Sequence, residues 1–316
     1  MLLGNRKANA KTVSFISASG GVGKTTLAIL FAKYLIKVKG VPSLKILLVD
    51  LDPTAGLSLS LMDEVKYNER VENGWTLVNL YKDYQQGLIS RKIDHYVKPV
   101  EHEGIGLNVL VPGEELEEII EKLWHPGGGG EFLDLLENSG VYTYYDYVIF
   151  DSAPFFDMRY TVLSIYAASK YVVLLRPSLI DARRSSRMIS RLIKYAKDLR
   201  FSTYDFLAKF LGVINMARSG TIEGDALLRL GFKGVSPSSG YGKAQPDERR
   251  TTVEDAIGGL KKILSFPDYV IPLDIEIARL NLSGALNLKK KKEKEEEVEK
   301  TPLGKVFKAI WNHVVS

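Results

Sequence analysis

Cysteine is absent from this chain of 316 residues. Disulfides, thiolate zinc sites, iron–sulfur clusters and cysteine nucleophiles are therefore excluded. Histidine is scarce, and the four present, at 95, 102, 125 and 313, lack the spacing of a metal-ligand set. No apolar run is long enough to cross a bilayer, and the opening MLLGNRKANAK lacks the apolar core of a signal peptide, so the chain is expected in the cytoplasm. Internal repeats are missing too.

What is present is a composition of 45% hydrophobic and 26% charged residues, which suits a globular core and argues against disorder. Residues 12–17 (TVSFIS) alternate and run into a glycine-rich turn, and LAILFAKYLIKV follows at helical spacing. Residues 45–49 (KILLV) and 147–150 (YVIF) are short, almost wholly apolar runs that end in Asp50 and Asp151, as central parallel strands do. Further runs at 107–111, 171–175, 210–214 and 269–271 are separated by helical stretches such as 114–123 and 182–199. The alternation predicts an α/β fold, a doubly wound, mainly parallel sheet flanked by helices.

Two stretches interrupt the pattern. Residues 64–106 are too polar and irregular to assign a strand, and residues 220–250 are rich in Gly, Ser and Pro; both read as surface insertions or long loops. Glycines 127–130 read as a loop, since neither a preceding strand nor a following lysine accompanies them. Thr251 and Glu254 form a capping box that opens a helix through Leu264. The expected organisation is an N-terminal extension (1–11), a single domain (12–286), a charged linker or solvated helix (287–300) and a C-terminal amphipathic helix (301–316).

ASGGVGKTT at residues 18–26 follows a predicted strand and opens a predicted helix, the context of a Walker A loop with Ala18 in place of the usual first glycine. Glycines 20, 21 and 23 let backbone N–H groups turn inward around phosphate oxygens, and the helix aims its positive end at them. The predicted nucleotide-binding set is Ser19, Gly20, Gly21, Val22, Gly23, Lys24, Thr25 and Thr26, with Lys24 on the β- and γ-phosphates and the Thr25 hydroxyl on Mg²⁺. Phosphoryl transfer also needs carboxylates at strand ends. Asp151 is assigned to Mg²⁺ as a Walker B residue, Asp50 to the metal shell, and Asp52 to the attacking water; the predicted catalytic residues are Lys24, Asp52 and Asp151.

SGGVGKTT, VDLDPTAGLS and YDYVIFDSAP, in that order, resemble the ParA/MinD branch of P-loop ATPases, which carry a deviant Walker A loop. The likeness continues at LNVLVPG, FLGVINMA and YVIPLDIEI and covers residues 12 to about 285. It implies ATP and Mg²⁺ as cofactors, Asn215 as a reader of the adenine, and Pro272 and Asp274 close to the base. It also implies a homodimer formed through ATP, to which each subunit adds a signature lysine; Ser19 stands at that position here, so another basic residue substitutes or the hydrolysis mechanism differs. Zero cysteine excludes the iron–sulfur reductases of the same superfamily.

Helix 182–199 carries Arg183, Arg184, Arg187, Arg191 and Lys194 near one stripe, opposite an apolar face, an arrangement suited to the phosphates of duplex DNA regardless of sequence. The C-terminal stripe, with Phe307 and Trp311, either lies in a lipid interface or docks on the body of the protein. The resemblance therefore implies a ParA-type DNA segregation ATPase on the nucleoid, stimulated by a ParB-like centromere-binding protein. A MinD-like ATPase at a membrane and a nucleotide-locked DNA-binding scaffold are the alternatives.

Overall fold

The computed structural model describes residues 10–88, 92–125, 128–155, 157–198, 202–239, 248–286 and 298–316. The N-terminal extension before residue 10 and the charged linker at 287–297 lie outside the described residues. Two compact units are formed, one from residues 1–16 and 25–170, the other from residues 17–24 and 171–316. The fold class is the expected one, α/β with mainly parallel strands flanked by helices, and the described residues hold seven strands.

In the first unit the strands are β1 (Lys11–Ile16), β2 (Ile46–Leu51), β3 (Lys98–His102), β4 (Ile105–Leu110) and β5 (Tyr147–Ser152). They lie in the order β3-β4-β2-β5-β1, and only β3 is antiparallel to its neighbour. All six residues of β2 are buried, which accounts for the uninterrupted apolar run of its sequence. The register of β2 on β5 sets Asp50 opposite Asp151, so two carboxylates meet at adjacent strand ends.

The helices of this unit are α1 (Lys24–Lys37), α2 (Gly56–Leu61), α3 (Glu64–Glu72), α4 (Leu77–Gln85), α5 (Leu116–Lys122), α6 (Gly128–Asn138), α7 (Val141–Tyr144) and α8 (Met158–Ala167). Residues 64–106 are thus not the irregular insertion expected from their polarity: they form α3, α4 and β3. Asp63 and Thr76 cap the two helices by accepting from Lys66 N and Asn79 N, and β3 is an edge strand with one buried residue, Val100, which leaves a weak apolar signature.

The glycine run is likewise a correction, because Gly128 to Gly130 form the buried first turn of α6. A Cβ on Gly128 would fall 1.7 Å from the Leu123 carbonyl oxygen, and one on Gly129 would fall 2.2 Å from the Tyr166 ring, so close approach explains these glycines.

The second unit holds β6 (Lys170–Leu175) from Tyr171 onward, beside β7 (Phe210–Ile214), in parallel. Its helices are α9 (Leu179–Asp198), α10 (Thr203–Leu207), α11 (Ile222–Arg229), α12 (Glu248–Lys261), α13 (Ile275–Ala278), α14 (Leu282–Ala285) and α15 (Pro302–Val315). Part of the expected loop 220–250 is therefore the helix α11, capped by Thr221 at Gly224 N. Helix α12 runs through Thr251 from Glu248 rather than opening at Thr251.

Residues 269–271 do not make a strand. They run beside the end of β7 through Ile271 N to Ile214 O and Ala217 N to Ile271 O, and the pairing continues past Pro272, which has no N–H to give, through Leu273 N to Ala217 O. Helix α15 docks on its own unit: Leu303, Val306, Phe307, Ile310 and Val314 are all buried, and His313 hydrogen-bonds the Lys209 carbonyl at 2.9 Å.

Candidate phosphate-binding site

The glycine-rich loop belongs to the second unit. Gly21 and Gly23 take φ of 66° and 91°, which leads the backbone through a path that L side chains rarely adopt. Ser17 Oγ donates to the Ser19 carbonyl at 2.7 Å, and Asn215 Nδ2 donates to the Val22 carbonyl at 2.8 Å. Asn215 is placed by β7, and its own N–H is bonded to Leu175 O at the end of β6. Its carboxamide packs so closely that a Cβ on Gly23 would fall 2.4 Å from Nδ2. The residue expected to read a base thus braces the loop. Lys24, buried, opens α1 directly after the loop. Pro272 and Asp274 are half-buried, and Asp274 caps α13 by accepting from Glu276 N at 2.8 Å.

In the first unit, Thr25 Oγ1 donates to Asp151 Oδ2 at 2.6 Å. Asp50 is fully buried and accepts from Ser58 N at 2.9 Å, Ser58 Oγ at 2.7 Å and Asp52 N at 3.1 Å. Burial first, and the charge of Asp151 second, push the Asp50 carboxyl up to about 7. Two buried carboxylates side by side with a hydroxyl, one of them driven towards protonation by burial and further by the other, are a donor set that a hard divalent cation suits. Thr25 and Asp151, backed by Asp50, would hold Mg²⁺, which would neutralise phosphate charge there. Asp52 is half-buried, and its Oδ1 accepts from Thr54 N at 3.0 Å and Thr54 Oγ1 at 2.6 Å. The turn ends at Ala55 in the left-handed region, with φ 53°.

On α9, Arg183, Arg184, Arg187, Arg191 and Lys194 are exposed, while Met188, Ile189, Leu192 and Ala196 are buried. Among the described residues none of the five cations is ion-paired. Arg183, Ser186 and Arg187 line a cleft of about 430 Å³ with Thr252, Asp255 and Ala256 of α12.

A strand, a glycine loop with two left-handed glycines, a helix opened by Lys24 and paired carboxylates at strand ends define a P-loop protein. Comparison with known proteins gives the family. The model of the AAA domain family matches residues 10–205. An ATP complex of a McdA variant from Cyanothece is similar over 94% of this chain and 97% of that one, with a TM-score of 0.57 and 20% identity. A putative plasmid partition protein of Borrelia burgdorferi, bound to AMPPNP, is similar over 80% and 99%, with a TM-score of 0.52 and 18% identity. MinD, a cell division protein of Aquifex aeolicus, is similar over 96% and 98%, with a TM-score of 0.53 and 18% identity. No curated protein matches. This chain belongs to the ParA/MinD family of P-loop ATPases.

Sequence reasoning missed two features. Lys33 of α1 is fully buried and donates to Glu103 at 2.7 Å, with His102 Nδ1 at 2.8 Å. Arg176, which follows β6, grips Asp181 in the first turn of α9. Neither pair has a sequence spacing that marks it.

Proposed function

We propose that this chain is a ParA-type ATPase that acts on DNA: it binds ATP with Mg²⁺, dimerises through the nucleotide and binds duplex DNA without regard to sequence. One observation carries the reading, the row of five exposed cations on α9, without an ion pair among the described residues, in a chain of this family. Cations fixed on a rigid helix contact backbone phosphates, which carry no sequence information. The likeness to a plasmid partition protein supports the same reading.

In this proposal the N–H groups of residues 20–23 surround the phosphates, Lys24 reaches their β- and γ-oxygens, and Asn215 keeps the loop in shape while its free oxygen faces the base with Pro272 and Asp274. Asp52 orients the attacking water. Hydrolysis is stimulated by a ParB-like centromere-binding protein, and loss of the γ-phosphate loosens a dimer whose interface contains it. The burial of the apolar stripe of α15 disfavours a membrane role for that helix, which is the feature on which the MinD-like alternative rests.

Binding of the purified protein to non-specific duplex DNA, measured over a salt series with ATP, with ADP and without nucleotide, tests the proposal. ATP-dependent binding is expected, and Arg187→Ala should weaken it on all sequences and reduce the salt slope by about one. DNA binding in none of the three states overturns it.

A further inference from the structure

We infer that Arg176 contacts the phosphates of the bound nucleotide, supplying beside the glycine-rich loop the positive charge that Ser19 does not. The inference rests on the proposed nucleotide-binding function and adds a residue to it.

Arg176 stands directly after β6, whose last residue, Leu175, is held in register with Ile214 and bonded through its carbonyl to Asn215 N. Its backbone is thereby tied to the same residue that braces the loop. The side chain is held by Asp181: Arg176 Nε donates to Oδ2 at 2.6 Å and Nη2 to Oδ1 at 3.4 Å. Asp181 has 2% of its side chain exposed, whereas Arg176 has 44%. Burying a carboxylate is costly unless it is paired, and here its partner presents only one edge of the guanidinium. A guanidinium has five N–H donors in a rigid fork. Those not aimed at Asp181 remain open to a second anion.

The same carboxylate reaches the loop. Burial pushes the Asp181 carboxyl up, and Arg176 with the Ser19 and Ser178 hydroxyls brings it below its ordinary value. The Ser19 Oγ is itself buried, with no hydrogen-bond partner among the described residues. Asp181 therefore connects the arginine to the loop position at which a basic residue is missing. Arginine matches phosphate oxygens in a forked geometry, and a carboxylate behind it fixes its orientation before the ligand arrives.

Three variants test this: Arg176→Ala, Arg176→Lys and the double variant Arg176→Met/Asp181→Asn. ATP and ADP dissociation constants and phosphate release are measured with Mg²⁺ and duplex DNA, with circular dichroism as a check of folding. Removing a preorganised phosphate contact should lower turnover by on the order of 100-fold. Arg176→Ala should also lose most of the preference for ATP over ADP, and Arg176→Lys should recover part of both. If Arg176 only neutralises Asp181, the double variant, which removes both charges, will match the wild type; that result, or wild-type ATP preference in Arg176→Ala, overturns the inference. Failure of the underlying function reads differently, because then the wild-type chain itself binds no ATP. Mixing Arg176→Ala with Lys24→Ala, which keeps the arginine but lacks the phosphate lysine, assigns the phosphates. Recovered turnover places Arg176 on a second copy's nucleotide, and no recovery places it on the chain's own.

Discussion

Lys24 and Asp52 sit in the same motif set but are expected to fail differently. Lys24 is buried at the head of α1, and Lys24→Ala should abolish ATP binding; a titration with retained micromolar affinity would remove the lysine from the site. The Asp52 carboxylate accepts from Thr54 N and Thr54 Oγ1 in its own turn. Asp52→Ala should keep ATP affinity while stopping phosphate release, and unchanged turnover would take Asp52 out of the mechanism. Both residues were legible because they lie inside contiguous motifs. Ser58, which gives Asp50 two hydrogen bonds, was not: it lies eight positions away, and the contact depends on a left-handed Ala55 that no local preference announces.

At the scale of elements, patterning read well wherever burial was two-sided or strictly one-sided. The central strands β2 and β5 are apolar up to the aspartates near their ends because both faces are covered, and α9 and α15 keep one apolar stripe each. Of the elements that were missed, α3 and β3 bury one residue each, too little for a clear period, while the short α4 buries Leu77, Val78, Leu80 and Tyr81; α3 and α4 start at the caps Asp63 and Thr76. The α6 glycines misled because close packing against Leu123 and Tyr166, rather than turn geometry, selects them. Helix α15 allows a direct test. Phe307 is wholly buried, so Phe307→Ala should destabilise the protein by about 3–5 kcal/mol in a denaturant titration. Lys308→Ala, on the exposed face, should change it by less than about 0.5 kcal/mol. Equal and small effects would mean that the helix is not part of the core in solution.

For the molecule as a whole, Asp50 links stability to pH. Its carboxyl titrates near 7 when folded but at its ordinary value of 3.8 when unfolded. The folded state therefore keeps a proton that the unfolded chain releases, and this contribution is complete below 3.8 and lost as pH rises through about 7. Thermal melts of the nucleotide-free protein should fall over that window more steeply than those of Asp50→Asn, whose side chain does not titrate; parallel curves would contradict the burial of the charge.

The global fold was legible from the order of strand, glycine loop and helix, but the grouping of the chain was not, because a cluster of residues 17–24 with residues 171–316 is set by distant contacts. The bond that braces the loop, from Asn215 to Val22, joins residues 193 positions apart. During synthesis the loop leaves the ribosome early yet cannot take its final shape until β7 has been made, and the core that receives α15 closes only after Val314 has been added. Competence to hold a nucleotide is therefore a late event in the birth of this protein, and a nascent chain halted before residue 215 should be blind to ATP.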